Sequence, residues 1–256
     1  MANIHQAAQQ GFGSEAKTYA KGRPDYPAPL TGWLTTTLGV SPGRQVVDLG
    51  AGTGKFTQLL TTTGADIVAV EPIDAMRAEL VQRLPDVQAL AGTAQAIPLA
   101  DGSADALVCA QAFHWFATAP ALAEIHRVLK PGGRLGLVWN VRDESVDWVA
   151  AITAIITPYE GDTPRFHTGA WRLPFAGSGF AEPTLATFSY AHVGSAQEVI
   201  LDRFLSVSFI AALPADEKAK VAAQLQALID SHPALRGQTS IAFPYRTEAY
   251  CALRKD

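Results

Sequence analysis

The chain has 256 residues, of which 48% are hydrophobic and 17% are charged, and its formal net charge is −4. This length is typical of one large domain, and the apolar content is sufficient for a substantial core. No excess of Lys or Arg is available to neutralise phosphates, so neither nucleic acid nor an anionic membrane is expected as a partner. The polar start lacks the features of a signal peptide, and Cys109 and Cys251 lie in apolar runs. A cytoplasmic protein with reduced core cysteines is therefore expected.

Short apolar runs alternate with helical segments through the first half of the chain. Near-continuous apolar strands separated by helices are typical of a parallel sheet that is covered on both faces. The connections are expected to be right-handed crossovers. In chain order, the predicted elements are the strand Val46–Gly50, the helix Lys55–Thr63, the strand Asp66–Glu71, the helix Ile73–Leu84, the strands Val87–Ala91 and Ala104–Ala110, the helix Ala119–Leu129 and the strand Arg134–Trp139.

Beyond Asn140 this alternation weakens. Pro214–Ser231 is predicted to be an amphipathic helix with proline and acidic residues at its start. The other predicted elements are the helices Trp148–Tyr159 and Ser195–Ser206 and the strands Ala186–His192 and Thr247–Leu253. We therefore predict an α/β fold with a doubly wound, mostly parallel, seven-stranded sheet and helices on both faces.

The sequence VVDLGAGTGKF, from Val46 to Phe56, is a strand followed by a loop with glycines at alternate positions. A phosphate-binding P-loop would need glycine at position 49 and Ser or Thr at position 56, where this chain has Leu and Phe. A dinucleotide-binding loop would need a third glycine where Lys55 stands, so that match is partial. The remaining alternative is a G-x-G-x-G loop preceded by an acid, Asp48. Because like charges repel, this acid suits a cationic ligand better than a pyrophosphate.

The segment from Asp48 to Gly54, DLGAGTG, resembles the first motif of the class I S-adenosylmethionine-dependent methyltransferases. Further segments up to Gly133 resemble the family in the same order: Glu71 at the end of the second strand, then PIDAM (72–76), AGTAQAIPL (91–99), DGSAD (101–105) and LKPGG (129–133). The resemblance implies a Rossmann-like methyltransferase fold, S-adenosylmethionine as cofactor and S-adenosylhomocysteine as product.

The resemblance also implies a cofactor site. Glu71 would accept hydrogen bonds from the two ribose hydroxyls, as an acid at this spacing does in dinucleotide folds. Met76 would pack on the adenine ring, although a place in the helix core is equally consistent with the sequence. The family usually carries Glu where Gln95 stands, so the role of this side chain stays open. The predicted cofactor-binding residues are Tyr19, Arg23, Asp48, Gly50, Ala51, Gly52, Thr53, Gly54, Glu71, Pro72, Ile73, Met76, Thr93, Ala94, Gln95, Gln111 and Ala112, and no metal site is predicted.

Aromatic and polar residues follow the fourth and fifth strands, at the edge of the sheet where ligands of parallel sheets bind. The run AQAFHWF (110–116) resembles a small-molecule branch that includes trans-aconitate methyltransferases and type 11 enzymes. His114 is a candidate to act as a general base or to orient the acceptor. The alternative is that it only packs at the start of a helix. Trp115 and Asn140 are the other candidate catalytic residues.

The N-terminal segments 12–19 and 23–27 resemble the same branch. Phe12, Ala16, Tyr19 and Ala20 share one face of a predicted helix. The resemblance implies a lid in which Tyr19 lies near the sulfonium or the carboxylate and Arg23 pairs with the carboxylate, and a simple packing helix is the alternative. Residues 1–40 are thus expected to form a helical lid, 41–140 the cofactor-binding half of the domain, and 141–256 its substrate-covering helices and last strands.

The predicted function is in-line methyl transfer from S-adenosylmethionine to a small-molecule acceptor, preferably to a carboxylate or hydroxyl oxygen. A general base is needed only for a protonated nucleophile. A carboxylate acceptor would instead need Arg or His to hold it, and Arg142, Arg165, His167 and Arg172 are available. Two alternatives stay open: a nicotinamide-dependent oxidoreductase, and a protein that uses the same pocket for regulation or for chemistry other than methyl transfer.

Overall fold

Seven strands form one sheet in the order β3-β2-β1-β4-β5-β7-β6. The structure is a computed structural model, and it describes residues 23–256. The predicted helical face of Phe12, Ala16 and Tyr19 lies outside the described residues. The strands are β1 (Gln45–Leu49), β2 (Asp66–Val70), β3 (Gln88–Leu90), β4 (Ala104–Ala110), β5 (Leu129–Arg142), β6 (Thr184–Gly194) and β7 (Ile241–Leu253).

β1 to β5 are mutually parallel, and β7 lies antiparallel between β5 and β6. Val47 of β1 is level with Val68 of β2 and with Leu107 of β4. The carboxyl ends of these three strands therefore lie at the same edge of the sheet. The predicted doubly wound, mostly parallel seven-stranded sheet is confirmed.

The helices begin and end close to their predicted bounds in the first half of the chain. They are α1 (Pro29–Thr36), α2 (Lys55–Thr61), α3 (Asp74–Arg83), α4 (Ala119–Val128), α5 (Asp147–Ile156), α6 (Arg203–Leu205), α7 (Ser208–Ala211) and α8 (Ala215–Ser231). At the start of α4 the Thr118 side chain accepts a hydrogen bond from the Ala121 N–H, and a proline occupies the first turn. Both features favour a helix N-terminus.

Alternate residues of the central strands pack on opposite faces of the sheet, as the two-residue period of a strand requires. Val47 and Leu107 belong to the cluster that packs under α4, whereas Val46 and Val108 belong to the cluster that packs under α1 and α2. A third cluster joins α5, α8 and the start of β7. Cys109 is buried, Cys251 is half-buried, and both are free thiols.

The second half of the chain differs from its prediction in two helices. α5 ends at Ile156, before Pro158, and a 3₁₀ turn continues to Tyr159. Proline disfavours a helical conformation of the residue before it. The predicted helix Ser195–Ser206 is instead a π-helix, Gln197–Asp202, followed by the short α6. A hydrophobic pattern cannot reveal this change, because both kinds of helix bury one face.

β5 is longer than predicted at its start. Leu129 pairs with Ala104 and Arg134 pairs with Ala106, so the segment 130–133 forms an irregularity within the strand. The Pro-Gly-Gly segment 131–133, which precedes the predicted strand Arg134–Trp139, is therefore part of a bulge in β5. Within residues 23–256, no helix combines the length and the apolar character that a membrane crossing requires.

Candidate functional site

A cavity of about 260 Å³, the first cavity, lies beyond the carboxyl ends of β1, β2 and β4. The loop after β1 turns across the end of β2, where the Val70 carbonyl accepts hydrogen bonds from the N–H groups of Gly50 and Ala51. Most of the predicted cofactor-binding residues lie together here. Those lining the cavity are Arg23, Asp48, Gly50, Ala51, Gly52, Thr53, Glu71, Pro72, Ile73, Met76, Thr93, Ala94, Gln95, Gln111 and Ala112.

Two predicted residues are not among them. Tyr19 lies outside the described residues. Gly54 lies in the glycine loop but does not line the cavity. Its φ is +82°, and a Cβ atom there would lie 2.9 Å from Cγ of Leu80. Gly54 thus allows α2 and α3 to pack closely, a role that the motif alone does not distinguish from ligand contact.

Gly50 is the position where the cavity wall requires glycine. Its φ is +73°, which disfavours other residues. A Cβ atom there would lie 2.8 Å from Cβ of Ala112, at the end of β4. The backbone of the loop after β1 is therefore in contact with the Ala112 methyl group of the segment after β4, and the two segments form one wall of the first cavity.

Glu71 is buried at the end of β2 and is held by two backbone donors. Its Oε2 accepts a hydrogen bond from the Gly52 N–H, and its Oε1 accepts one from the Ile73 N–H, both at 2.9 Å. Burial raises the pKa of this carboxyl, and these two hydrogen bonds and Arg77 oppose the rise. A carboxylate oxygen can accept more than one hydrogen bond. Each oxygen of Glu71 can thus accept a second donor from a ligand in the cavity.

Asp48 lies fully buried within β1 and faces the same cavity. Its Oδ2 accepts a hydrogen bond from the Thr57 hydroxyl at 2.7 Å, while its Oδ1 has no hydrogen-bond partner among the described residues. Burial raises the pKa of Asp48 to about 7; the Thr57 hydroxyl opposes this rise, and the charge of Glu71 adds to it. A buried carboxyl with an unused oxygen is suited to a cationic ligand.

The far end of the first cavity is lined by the loop after β3. The Thr93 hydroxyl is buried and lacks a hydrogen-bond partner within residues 23–256, whereas the backbone of Thr93 pairs with that of Ala96. Gln95 is exposed at the rim of this wall. Met76 is buried, so the sequence alternatives for it are not exclusive: it packs in α3 and also lines the cavity. The polar atom without a partner in this wall is thus the Thr93 hydroxyl.

The segment Arg23–Tyr26 forms the wall opposite the glycine loop, and sequence analysis missed the residue that holds it. Lys55 donates a hydrogen bond to the Arg23 carbonyl and lies 3.0 Å from a carboxylate oxygen of Asp25. The ring of Tyr26 meets that of Phe56 edge to face, with centroids 4.8 Å apart. The start of α2 is therefore tied to this wall. The signal in the sequence for this contact is a lysine directly after the glycine loop, but the sequence alone indicates only that Lys55 begins a helix.

A second cavity of about 130 Å³ adjoins the first, and Arg23, Gln111, Trp115 and Arg203 line both. Gln111, at the end of β4, has a φ of +56° and is the one non-glycine residue with positive φ among residues 23–256. Such backbone conformations are uncommon and occur often at functional sites. The strained residue stands where the two cavities meet.

The candidate catalytic residues lie around the second cavity. Asn140 lines it, but both ends of its amide already have protein partners. Its nitrogen donates to the Asp25 carbonyl at 2.9 Å, and its oxygen accepts from the Thr247 hydroxyl at 2.6 Å. Asn140 therefore links β5 to β7 and to the wall segment Arg23–Tyr26. Trp115 lines both cavities, as a residue beside the reacting atoms would.

The hydrogen bonding of His114 defines its state. The Trp139 indole N–H donates to Nδ1 of His114 at 3.1 Å. Burial, with Arg165 and Arg23 nearby, lowers the pKa of His114 to about 3. The ring is therefore neutral at physiological pH, and because Nδ1 accepts a hydrogen bond, the proton resides on Nε2. In this arrangement His114 has a donor at Nε2 and no free acceptor with which to act as a base.

Four arginines line the second cavity, and they include two of the four cations considered from sequence. Arg142 and Arg165 are there, as is His167, whereas Arg172 instead stacks on the rings of Trp171 and Tyr250. Arg203 was missed, because the predicted helix gave no reason to single out one arginine. The second cavity is thus strongly basic although the chain as a whole is acidic.

This sheet order, together with a cavity formed by a glycine loop and an acid at the end of the second strand, defines the Rossmann-like methyltransferase fold. A sequence profile described as a methyltransferase domain matches residues 47–137, from β1 into β5. A Schizosaccharomyces pombe protein described as an uncharacterized methyltransferase-like protein is 38% identical over 242 residues, 93% of each chain. An uncharacterized methyltransferase of Mycobacterium tuberculosis is 40% identical over 92% of each chain. The chain belongs to the class I S-adenosylmethionine-dependent methyltransferases.

Solved structures share the fold. The YcgJ protein of Bacillus subtilis superposes with a TM-score of 0.55 at 20% identity, covering 88% of this chain and 98% of its own. Geranyl diphosphate C-methyltransferase of Streptomyces coelicolor gives a TM-score of 0.50 at 16% identity, covering 89% of this chain and 79% of its own. The latter structure contains Mg²⁺, geranyl diphosphate and S-adenosylhomocysteine.

Proposed function

We propose that this enzyme binds S-adenosylmethionine in the first cavity and transfers its methyl group to an oxygen of a small-molecule acceptor in the second. The observation that carries the proposal is the junction of the two cavities at Gln111 and Trp115. In-line displacement needs the acceptor oxygen, the methyl group and the leaving sulfur in one line. Two adjoining cavities can hold two ligands in such an arrangement.

The residues of the first cavity fit the cofactor from end to end. Glu71 offers an acceptor on each oxygen for the two ribose hydroxyls, and the bare backbone at Gly50 and Gly52 leaves room for the amino-acid part. The unpartnered atoms, Oδ1 of Asp48 and the Thr93 hydroxyl, fit a positive charge and an adenine edge. The ligand named in the Streptomyces coelicolor structure of the same fold agrees with this assignment.

An acid at Asp48 separates this proposal from a nicotinamide-dependent oxidoreductase. A pyrophosphate beside two buried carboxyls, Asp48 and Glu71, would meet electrostatic repulsion, whereas an ammonium or sulfonium would be attracted. The backbone of Gly52 also donates to Glu71 and so does not point at a phosphate. The charges of the first cavity therefore favour a cationic cofactor.

The chemistry required of the protein is positioning and exclusion of water. When bound, S-adenosylmethionine supplies a methyl group on a cationic sulfur, which leaves with the electron pair of the broken bond. Trp115 lies at the junction and Phe116 lines the first cavity. Gln111 is held at the junction by its backbone hydrogen bond to the Val138 carbonyl. His114 orients the acceptor by donating from Nε2. A carboxylate acceptor, already ionised, needs no base, and for this reason we favour a carboxylate over a hydroxyl.

We expect S-adenosylhomocysteine, and not NAD, to raise the melting temperature of the protein. A ligand at about one hundred times its Kd stabilises the folded state by ~2.7 kcal/mol, which for a chain of this size is roughly 5 °C or more. Differential scanning fluorimetry with each ligand at matched concentration provides the measurement. A shift with NAD alone would contradict the proposal. A turnover assay with labelled cofactor, comparing carboxylic acids with phenols, then tests the acceptor.

We expect turnover to show no titration of His114 between pH 5 and 8, because its pKa of about 3 keeps the ring neutral throughout. His114→Gln, which can still donate a hydrogen bond, should retain most of the activity, and His114→Phe should raise KM for the acceptor. A pH–rate profile of each variant is the measurement. An acid limb near pH 6.5 that disappears in both variants would instead identify His114 as a base.

A further inference from the structure

Within residues 23–256, Arg142, Arg165 and Arg203 of the second cavity have more positive charge than the neighbouring acids compensate. Nη2 of Arg142 lies 3.6 Å from Oε1 of Glu144, and Nε of Arg165 lies 2.6 Å from Oε1 of Glu160. Glu144 is the one acidic residue among the described residues that line this cavity. Burial and the charges of Arg203 and Arg165 lower the pKa of Arg142 to about 10. Three mutually repelling guanidinium groups, here called the arginine cluster (Arg142, Arg165 and Arg203), therefore face one small space.

Arg203 is buried, and no acid among the described residues compensates its charge. The residue is 8% exposed. Its side-chain atoms Nε and Nη1 have no hydrogen-bond partner within the described part of the chain. No carboxylate of residues 23–256 pairs with it. An isolated buried charge is strongly unfavourable unless it is paired. A ligand anion in the second cavity would supply the missing partner.

The local fold directs Arg203 to this place. It follows directly after the π-helix Gln197–Asp202, whose wider turn offsets the side chains that come after it. π-helical turns are rare and occur frequently at functional sites. Aromatic rings then support the guanidinium groups: Arg203 and Arg142 lie over Phe204 at 5.4 and 5.7 Å, and Arg165 lies over Phe209 at 5.0 Å. A guanidinium group that stacks on a ring is held in an orientation that favours bidentate binding of an oxyanion.

We infer that the arginine cluster is an anchoring site for an oxyanion group of the acceptor, distinct from the oxygen that is methylated. Arg142 and Arg165 line the second cavity but not the first, so the group that they hold lies away from the junction at Gln111. The acceptor is therefore a small acid whose anchoring group is a carboxylate or a phosphoryl group and whose reactive oxygen is a separate group. This inference rests on the proposed methyl transfer for the identity of the acceptor, but anion binding is tested without it.

The test is a thermal-shift titration with succinate and with pyrophosphate, at constant ionic strength set with NaCl and with 1,4-butanediol as an uncharged control. We expect at least one of the two anions to raise the melting temperature, and the larger response identifies the anchoring group as carboxylate or phosphoryl. Arg203→Met and Arg142→Met should each raise the apparent Kd of that anion by about tenfold or more. Arg236→Gln, at an exposed position, should leave it unchanged.

A merely structural role of Arg203 predicts a different result. If Arg203 only packs, Arg203→Met lowers the melting temperature of the ligand-free protein, whereas removal of an uncompensated charge leaves it equal or higher. Arg203→Lys, which keeps the charge but loses the planar fork, should weaken anion binding less than Met does. This variant also serves if Arg203→Met does not fold.

Three outcomes would overturn the inference. In the first, neither anion shifts the melting temperature beyond the NaCl control. In the second, the shift persists in both methionine variants. In the third, saturating S-adenosylhomocysteine abolishes the anion response, which would mean that the cluster holds the carboxylate of the cofactor. A response to S-adenosylhomocysteine without any response to anions would leave the proposed methyl transfer standing and refute the anchoring site alone.

Discussion

Glu71→Ala should raise the Kd for S-adenosylhomocysteine by about 100-fold or more. Two hydrogen bonds from ribose hydroxyls to a charged acceptor are expected to contribute at least ~1.5 kcal/mol each, which together correspond to this factor. The substitution also removes the acceptor of the Gly52 and Ile73 N–H groups, so the loop loses its support. Isothermal titration calorimetry is the appropriate measurement.

Two variants control this experiment. Glu182→Ala removes an exposed carboxylate far from the glycine loop and should bind as the wild type does. Glu71→Gln keeps one acceptor oxygen but not the charge, and its affinity should lie between those of the wild type and the alanine variant. If Glu71→Ala binds within about threefold of the wild type, the carboxylate does not hold the ribose.

Asp48→Asn should make the ligand-free protein more stable at pH 8.5 and weaken cofactor binding at the same pH. Burial raises the pKa of Asp48 to about 7 from an ordinary value of 3.8. The stability that this group contributes is fully present below about pH 4 and is lost as the pH rises through 7. Above pH 7 the buried charge destabilises the fold by up to ~4 kcal/mol. Asparagine has no such charge and still accepts from the Thr57 hydroxyl.

The pH dependence provides the control. The stability advantage of Asp48→Asn should shrink as the pH falls from 8.5 to 5.5, because protonation of Asp48 in the wild type removes the same charge. Wild-type affinity for S-adenosylhomocysteine should fall over this range, since only ionised Asp48 attracts the ammonium group, and the variant should lack this dependence. Melting curves and calorimetry at four pH values suffice. Equal cofactor affinity of the two proteins at pH 8.5 would contradict the role of Asp48.

The sequence was sufficient to predict the sheet and most of the residues that line the first cavity. Buried parallel strands leave continuous apolar runs, and the carboxyl ends of such strands necessarily meet, so a loop after β1 and an acid after β2 must share one site. This reasoning placed Asp48, Gly52 and Glu71 together. It also assigned the late strands, although β7 begins at Ile241, six residues before the predicted start at Thr247.

The features that the sequence could not predict depend on contacts between segments that are distant in the chain. Nothing in the local pattern separates Gly50, which meets Ala112, from Gly54, which meets Leu80, since both have positive φ. The π-helix before Arg203 looks like an ordinary amphipathic helix, so the arginine with no partner could not be distinguished from exposed ones. The donor of the hydrogen bond to the His114 ring is likewise invisible in the local sequence, because it is Trp139, which lies on β5.

Lys55 of α2 and Asn140 of β5 hold the wall segment Arg23–Tyr26 by its backbone carbonyls and by Asp25. None of these three interactions involves Glu71 or Asp48, which are proposed to bind the cofactor. A substitution at Lys55 is therefore expected to loosen this wall and to change the rates at which ligands enter and leave, while the proposed ribose contacts of Glu71 stay in place.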